Sequence, residues 1–385
     1  MVDGHQDGSK ISHDQERQGI SRRRVIKTAF GVATVVAAGG LEFWRLTPGA
    51  HAAGAMPDII GCDAWGARPP SEPVAVLDSK ATKILVHHTA YPNSTDYSLE
   101  QAYWLVRDIQ NLHMDTNGWI DTGQHFTVSR GGYLLEGRHR SLETLQTGDR
   151  IVRAAHCPGL NSESIGIENE GTYIDTLPTE MLWNSLVNLC IYICQQYGFN
   201  ANNIFGHWDF RDTDCPGIAF YKTFPELRRQ VAQRLGLVDA IPARTWPDQR
   251  ITTTGPVVRV LQRLLNLQGS QLVVDGNFGA QTDSAVRAFQ AARGITADGY
   301  TRNDTWEKLV MPLKKDAQGE AVTAIQEILQ HKGYAVTVNG DFDFDTMKAV
   351  KEMQELHGLP PNGLVDVDSW CAIVGGILKA EFKTL

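Results

Sequence analysis

Four short stretches of this 385-residue chain carry side chains able to hold a metal or move a proton. They are His87-His88, His156, Glu168 with Glu170, and the run from Gly206 to Gly217, which contains His207, Asp209, Asp212, Thr213, Asp214 and Cys215. His207 and Cys215 stand eight residues apart, a separation that a turn can close to bring an imidazole and a thiolate onto one ion. Nitrogen and sulfur donors with a tetrahedral preference favour zinc, and three protein ligands would leave a fourth position open, as a catalytic site requires. The spacing is none of the diagnostic zinc motifs, so taken singly each histidine reads more often as a hydrogen-bonded structural residue. Adjacent residues of a strand point to opposite faces, so only one of His87 and His88 can enter a given site, and local physics leaves both open. Glu168 and Glu170, two apart, share a strand face.

These residues need elements to position them. Short β-rich runs alternate with helical periodicity from Cys62 to about Val238, predicting an α/β domain. The expected strands are Lys83–Thr89, His125–Ser129, Tyr133–Glu136 and Ser164–Asn169. The expected helices are Ser98–His113, Thr179–Tyr197 closed by Gly198, and Pro225–Leu235. Residues 239–254, with Pro242, Pro247 and three successive threonines, have the composition of a linker. Beyond it, residues 255–306 align with 319–370 at a constant offset of 64, pairing Gly276 with Gly340, Gln290 with Gln354 and Trp306 with Trp370. Each copy reads as helix (257–267 in the first), glycine turn, helix (282–293), turn and a short helix bearing the tryptophan. The domain boundaries are therefore 56–238, 255–312 and 313–385.

Composition excludes several partners. A net charge of -8 gives no broad basic surface for nucleic-acid phosphates. The apolar stretch from Thr28 to Leu41 is too short to span a bilayer, so no permanent membrane partner is expected. Ser21-Arg22-Arg23-Arg24 precedes it and Ala50-His51-Ala52 follows, so residues 1–52 resemble a twin-arginine export signal, with an uncut anchor as the alternative. Outside the cytoplasm disulfides persist, so Cys62 or Cys157 could pair with Cys190 or Cys194, whereas a bond between Cys190 and Cys194 is disfavoured by their i, i+4 placement.

Seven ordered blocks, CDAWGARPP (62–70), ILVHHTA (84–90), DTGQHF (121–126), EGRHRSLE (136–143), AHCPG (155–159), SIGIENEG (164–171) and GHWDFRDTDCPG (206–217), resemble the type 2 N-acetylmuramoyl-L-alanine amidases and peptidoglycan recognition proteins. The repeats resemble the peptidoglycan-binding domain of cell-wall hydrolases, the second copy departing with Asp343 for a glycine and Met353 for a phenylalanine. The resemblance implies a mixed β-sheet flanked by helices, an α/β fold, plus two all-α three-helix modules. It implies Zn2+ on His87, His207 and Cys215, peptidoglycan glycan strands and stem peptides as partner, hydrolysis of the bond between N-acetylmuramic acid and L-alanine, and a secreted, cell-wall location as a monomer. The family's usual tyrosine position holds Gln124, which can hydrogen-bond but not take up a proton. The related amidases that lack this tyrosine use a glutamate matching Glu168, with Glu170 the less favoured choice. Thr213 would hold the developing oxyanion with His156 assisting or contacting the muramyl group, and Gln124 and Arg68 would line the substrate groove. Trp65 and Trp208 read as packing or groove residues. The alternative is a receptor that keeps the fold and zinc but hydrolyses nothing.

Overall fold

Strand β3 (Lys83–His88) sends its two neighbouring histidines to opposite faces of the sheet. All six of its residues are buried, the pattern of a parallel strand covered on both faces. In this computed structural model, which describes residues 55–383, the strand runs between two parallel neighbours; the export-type segment at 1–52 lies outside the described residues. The other strands are β1 (Ile59–Ile60), β2 (Val76–Leu77), β4 (Phe126–Val128), β5 (Leu134–Glu136), β6 (Ile151–Val152), β7 (Ser164–Asn169) and β8 (Ile204–Gly206). The main sheet has the order β1-β5-β4-β7-β3-β8, parallel except where β4 meets β5. β2 and β6 form a separate antiparallel pair. The sheet is mixed and flanked by helices, as the sequence predicts.

Helix α1 (Cys62–Trp65) and α2 (Leu99–Asn111) form an apolar cluster with Leu135 of β5. Ser98 starts α2 by accepting a hydrogen bond from the Gln101 amide, the role its short polar side chain suits. A short helix α3 (Ser141–Thr147) leads to β6. α4 (Glu180–Tyr197) begins at Thr179, which accepts from the Leu182 amide, and ends at Gly198 in the left-handed conformation. It packs against β4 and against α6 (Phe224–Leu235), which follows the one-turn α5 (Ile218–Tyr221).

The two repeats supply α7 (Pro256–Leu267), α8 (Ala280–Ala292) and α9 (Asn303–Leu309), then α10 (Glu320–His331), α11 (Phe344–Leu356) and α12 (Val367–Ile373). The offset of 64 is a repetition of buried hydrogen bonds. Gln262 donates to the Thr282 hydroxyl and accepts from the Gly276 amide, and Gln326 does the same with Thr346 and Gly340. Gln290 clasps Thr305 and Gly299 as Gln354 clasps Ser369 and Gly363. The second copy's departures have local reasons. Asp343 caps α11 by accepting from Thr346, and Met353 fills the core. The copies share one apolar core rather than two, with α7 lying on α10.

Two expectations are corrected. Residues 244–254 are not a linker. Strand β9 (Arg244–Thr245) pairs antiparallel with β10 (Ile377–Leu378), Trp246 stacks on Trp306, and Gln249 bridges Thr301. The repeat itself begins here, because Pro247 accepts from the Trp306 indole as Met311, 64 residues on, accepts from Trp370. Composition failed because proline and threonine serve a short extended arm as well as a tether. The proposed disulfides are also absent, all six cysteines being free thiols. Cys62 is spent under β5, its thiol donating to the Gly137 carbonyl, which takes it away from α4.

All described residues fall in one compact unit. Arg228 of α6 donates to the Ile204 carbonyl of β8 and pairs with Glu381, which follows β10; both side chains are buried. Glu381→Ala strands that guanidinium and should destabilise the protein by about 3–5 kcal/mol. Urea unfolding should show one transition for tryptophans of the α/β layer and of the repeats; two separate transitions would mean the layers fold independently.

Candidate metal centre

Parallel pairing of β3 with β7 puts His87 opposite Glu168, and pairing of β8 with β3 delivers the start of the 206–217 loop to the same edge. His207 follows β8 directly, on a single turn of 3-10 helix spanning His207–Asp209. That turn is held because Asp209 accepts from the Gly206 amide and from the Tyr221 hydroxyl. Burial raises the Asp209 carboxyl to about 6. The loop then returns, with Trp208 donating its amide to the Cys215 carbonyl and Cys215 donating its own to the Thr213 hydroxyl.

One ligand atom each from His87, His207 and Cys215 falls within 4.8 Å of the others. The His87 and His207 ring centroids are 4.3 Å apart, and Cys215 Sγ lies 3.7 Å from His87 Nδ1. Nitrogen and sulfur on one tetrahedral zinc, at about 2.0 and 2.3 Å, sit roughly 3.5 Å apart, so the donor set fits that ion. The buried His207 Nε2 and Glu168 Oε2 have no hydrogen-bond partner, an expense that a bound cation and its ligands would offset.

Hydrogen bonding decides which nitrogen of His87 is available. His156 Nε2 lies 3.2 Å from the Ser164 carbonyl, which can only accept, so this nitrogen carries the proton. Burial holds His156 neutral, its pKa lowered to about 4, so Nδ1 has a lone pair. His87 Nε2, 3.0 Å away, must therefore donate to it. The remaining His87 nitrogen, Nδ1, is then unprotonated and faces Cys215 Sγ and Glu168 Oε1, the latter at 4.0 Å. A ligand histidine whose other nitrogen is held in this way has its ring orientation and basicity set. Gly166 makes room for the arrangement, since a Cβ there would lie 2.5 Å from the His156 ring.

Electrostatics agree with a cation site. Burial among other imidazoles lowers His87 far below its ordinary value and His207 to about 3, so both present lone pairs at neutral pH. Burial raises the Cys215 thiol, while the His88 amide donates to its sulfur at 3.3 Å. Burial also raises Glu168 to about 8, although its side chain stays 18% exposed.

His88 turns to the other face, its Nδ1 accepting from the Tyr173 amide. Of the remaining sequence candidates, Thr213 is in the loop, and His156 lies behind His87 with both nitrogens engaged. Gln124 is buried and donates to the Thr127 hydroxyl; Thr127 stands opposite Glu168 in the β4–β7 ladder. Arg68 is exposed and bonds Asn111, the last residue of α2, and Asp115 in the turn that follows. Glu170 is spent on the Gln101 side chain and the Arg130 amide. Sequence reasoning missed Asn169, whose buried amide donates to the His87 carbonyl, and gave Asp209 no bracing role.

Residues 77–218 match the family profile described as N-acetylmuramoyl-L-alanine amidase, and residues 254–309 and 318–373 match that described as "Putative peptidoglycan binding domain". The chain thus carries an amidase-family domain followed by two repeats of the peptidoglycan-binding family. It is 30% identical to peptidoglycan-recognition protein LB of Drosophila melanogaster over 40% of its own length and 61% of that protein's. It is 30% identical to the N-acetylmuramoyl-L-alanine amidase of Homo sapiens over 46% of its length and 31% of that protein's. It therefore spans less than two thirds of either relative. The amidase CwlL of Bacillus licheniformis is 25% identical over 59% of this chain and 73% of that protein. Among solved structures, wild-type Drosophila PGRP-LB covers 42% of this chain and 88% of its own, at 28% identity and a TM-score of 0.37.

Metal binding has a predictable pH dependence. With both histidines already neutral, binding should release the Cys215 thiol proton and up to one more from Glu168, whose carboxylate the cation stabilises, so apparent zinc affinity should rise about ten- to a hundredfold per pH unit between pH 5 and 8. Titration calorimetry in buffers of different ionisation enthalpy measures this, and a slope near zero would remove Cys215 from the ligand set.

Proposed function

We propose that this protein is a zinc-dependent N-acetylmuramoyl-L-alanine amidase acting on bacterial peptidoglycan. The observation that carries the reading is the His87, His207 and Cys215 donor set with Glu168 in register beside it. Bound zinc supplies Lewis acidity for an amide carbonyl and for an attacking water. The chain's own residues supply the proton handling. Glu168, partly exposed at the cluster's edge, has one oxygen near His87 and one without a partner, so it can take a proton from water and return it to the departing amine. Its raised pKa strengthens it as the acceptor in the first transfer, and a neighbouring cation, by stabilising the carboxylate, keeps it ionised to act and eases return of the proton. Thr213, whose hydroxyl oxygen accepts from the Cys215 amide, would offer its hydroxyl proton to the developing oxyanion. His156 keeps His87 in the right tautomer. The repeats support peptidoglycan as partner, and the segment around Arg22-Arg23 supports export by the twin-arginine route to a cell-wall location.

A non-catalytic receptor is the second reading, favoured by Gln124, whose buried amide donates to Thr127 and brings no acid-base group. Incubation with purified sacculi separates them, because hydrolysis liberates alanine amino groups whereas a receptor only pellets with the wall. Glu168→Gln should lower kcat by about 10²–10⁴-fold with zinc content unchanged. Wild-type turnover by this variant would remove Glu168 as the proton acceptor.

A further inference from the structure

The loop that carries two of the three metal donors is gripped from outside by the repeats. On one side, the arm that opens the first repeat runs along it. Gln249 donates to the Asp209 carbonyl, the Thr254 amide donates to the Phe210 carbonyl, and the Asp212 amide donates to the Thr254 hydroxyl. Arg211 donates to the Thr252 carbonyl. On the other side, the second repeat reaches the residue next to His207. The His331 ring at the end of α10 packs on Trp208 at 4.9 Å between centroids. Gly375, at φ 90°, comes so close that a Cβ there would lie 2.3 Å from Asp209 Oδ1. Asp209 is the residue that ties the His207 turn to β8 and to Tyr221.

Within the amidase domain the loop's side chains are packed, Trp208 on Tyr221 and Phe210 on Phe205, but its backbone is not similarly held. From Asp209 to Asp212 the loop's inward backbone bonds are local ones to His207, while the carbonyls of Asp209 and Phe210 and the amide of Asp212 are satisfied by the arm. A loop whose polar groups pair with a neighbouring module keeps its shape only while that module is docked.

We infer that the peptidoglycan-binding-family repeats are a structural part of the metal centre, with His331, Gly375 and Thr254 as positioning residues that hold His207 and Cys215 in ligating geometry. This rests on the metal-site reading above. The repeats thus act on the chemistry itself besides any adhesion, and the second copy, with its divergent Asp343 and Met353, has its reason to exist in the surface around His331 and Gly375. Positioning partners one step removed from a metal characteristically change its affinity by about 10–100-fold.

The test uses the full chain loaded with cobalt(II), whose thiolate charge-transfer band reports the bond to Cys215. His331→Ala and Thr254→Val remove one contact each, Gly375→Val wedges the interface apart, and Lys315→Ala, an exposed residue of the second repeat, is the control. We expect the first three to weaken cobalt and zinc binding by about 10–100-fold and to shift or bleach the band, with Lys315→Ala matching wild type. Circular dichroism identifies any variant that fails to fold; Thr254→Val, nearly isosteric, should not be among them. If folded His331→Ala and Thr254→Val bind metal with wild-type affinity and spectrum, the inference is overturned. If wild type itself binds neither ion, the metal-site reading fails instead and takes this inference with it.

Discussion

Parallel pairing of β3 with β7 is the constraint on which the rest depends. It sets His87 beside Glu168, and it brings Gly166 to the place where the His156 ring must fit. A slip of one residue would turn His87 and Glu168 to opposite faces, because side chains alternate along a strand. The register is secured by burial of Ile84, Val86, Ile165 and Ile167, whose apolar surface could not be exposed without losing about 1.5–3 kcal/mol each.

From that pairing a chain of hydrogen bonds runs outward. The Ser164 carbonyl orients His156, which orients His87, whose unprotonated nitrogen then faces the sulfur of Cys215. Ser164, His156 and His87 are buried, so the bonds among them are protected from competition with water and the alternative tautomers would leave a donor or acceptor unpaired. The loop bearing His207 and Cys215 has a different character. It is a turn with many polar backbone groups, and part of its hydrogen bonding is supplied by residues from the repeats. The site therefore joins a rigid half, built on the sheet, to a half that is shaped by docking.

Docking also sets how the repeats sit against the site. A module on a flexible tether raises the local concentration of substrate and leaves the chemistry alone. Here Arg228 and Glu381 are buried across the boundary, and the arm before α7 belongs to the repeat fold rather than to a tether. Any glycan held by the repeats would therefore lie at a set position relative to the metal centre.

Much of this was legible in the residues themselves. The run KILVHH has the apolar content of a buried strand, Ser98 and Thr179 announce helix starts, and the 64-residue offset reports a fold repeated with its buried glutamine clasps. The donor types of His87, His207 and Cys215 also follow from the sequence, because residue chemistry does not depend on the fold. What the tertiary structure decided is everything that needs distance. It separated His87 from His88 by strand face, and it placed His156 behind His87. It paired Arg68 with Asn111 and Asp115, left the six thiols unbridged, and turned an arm of proline and threonine into a strap. Each of these depends on which groups share a face or compete for the same acceptor across tens of residues, and local composition carries no record of that.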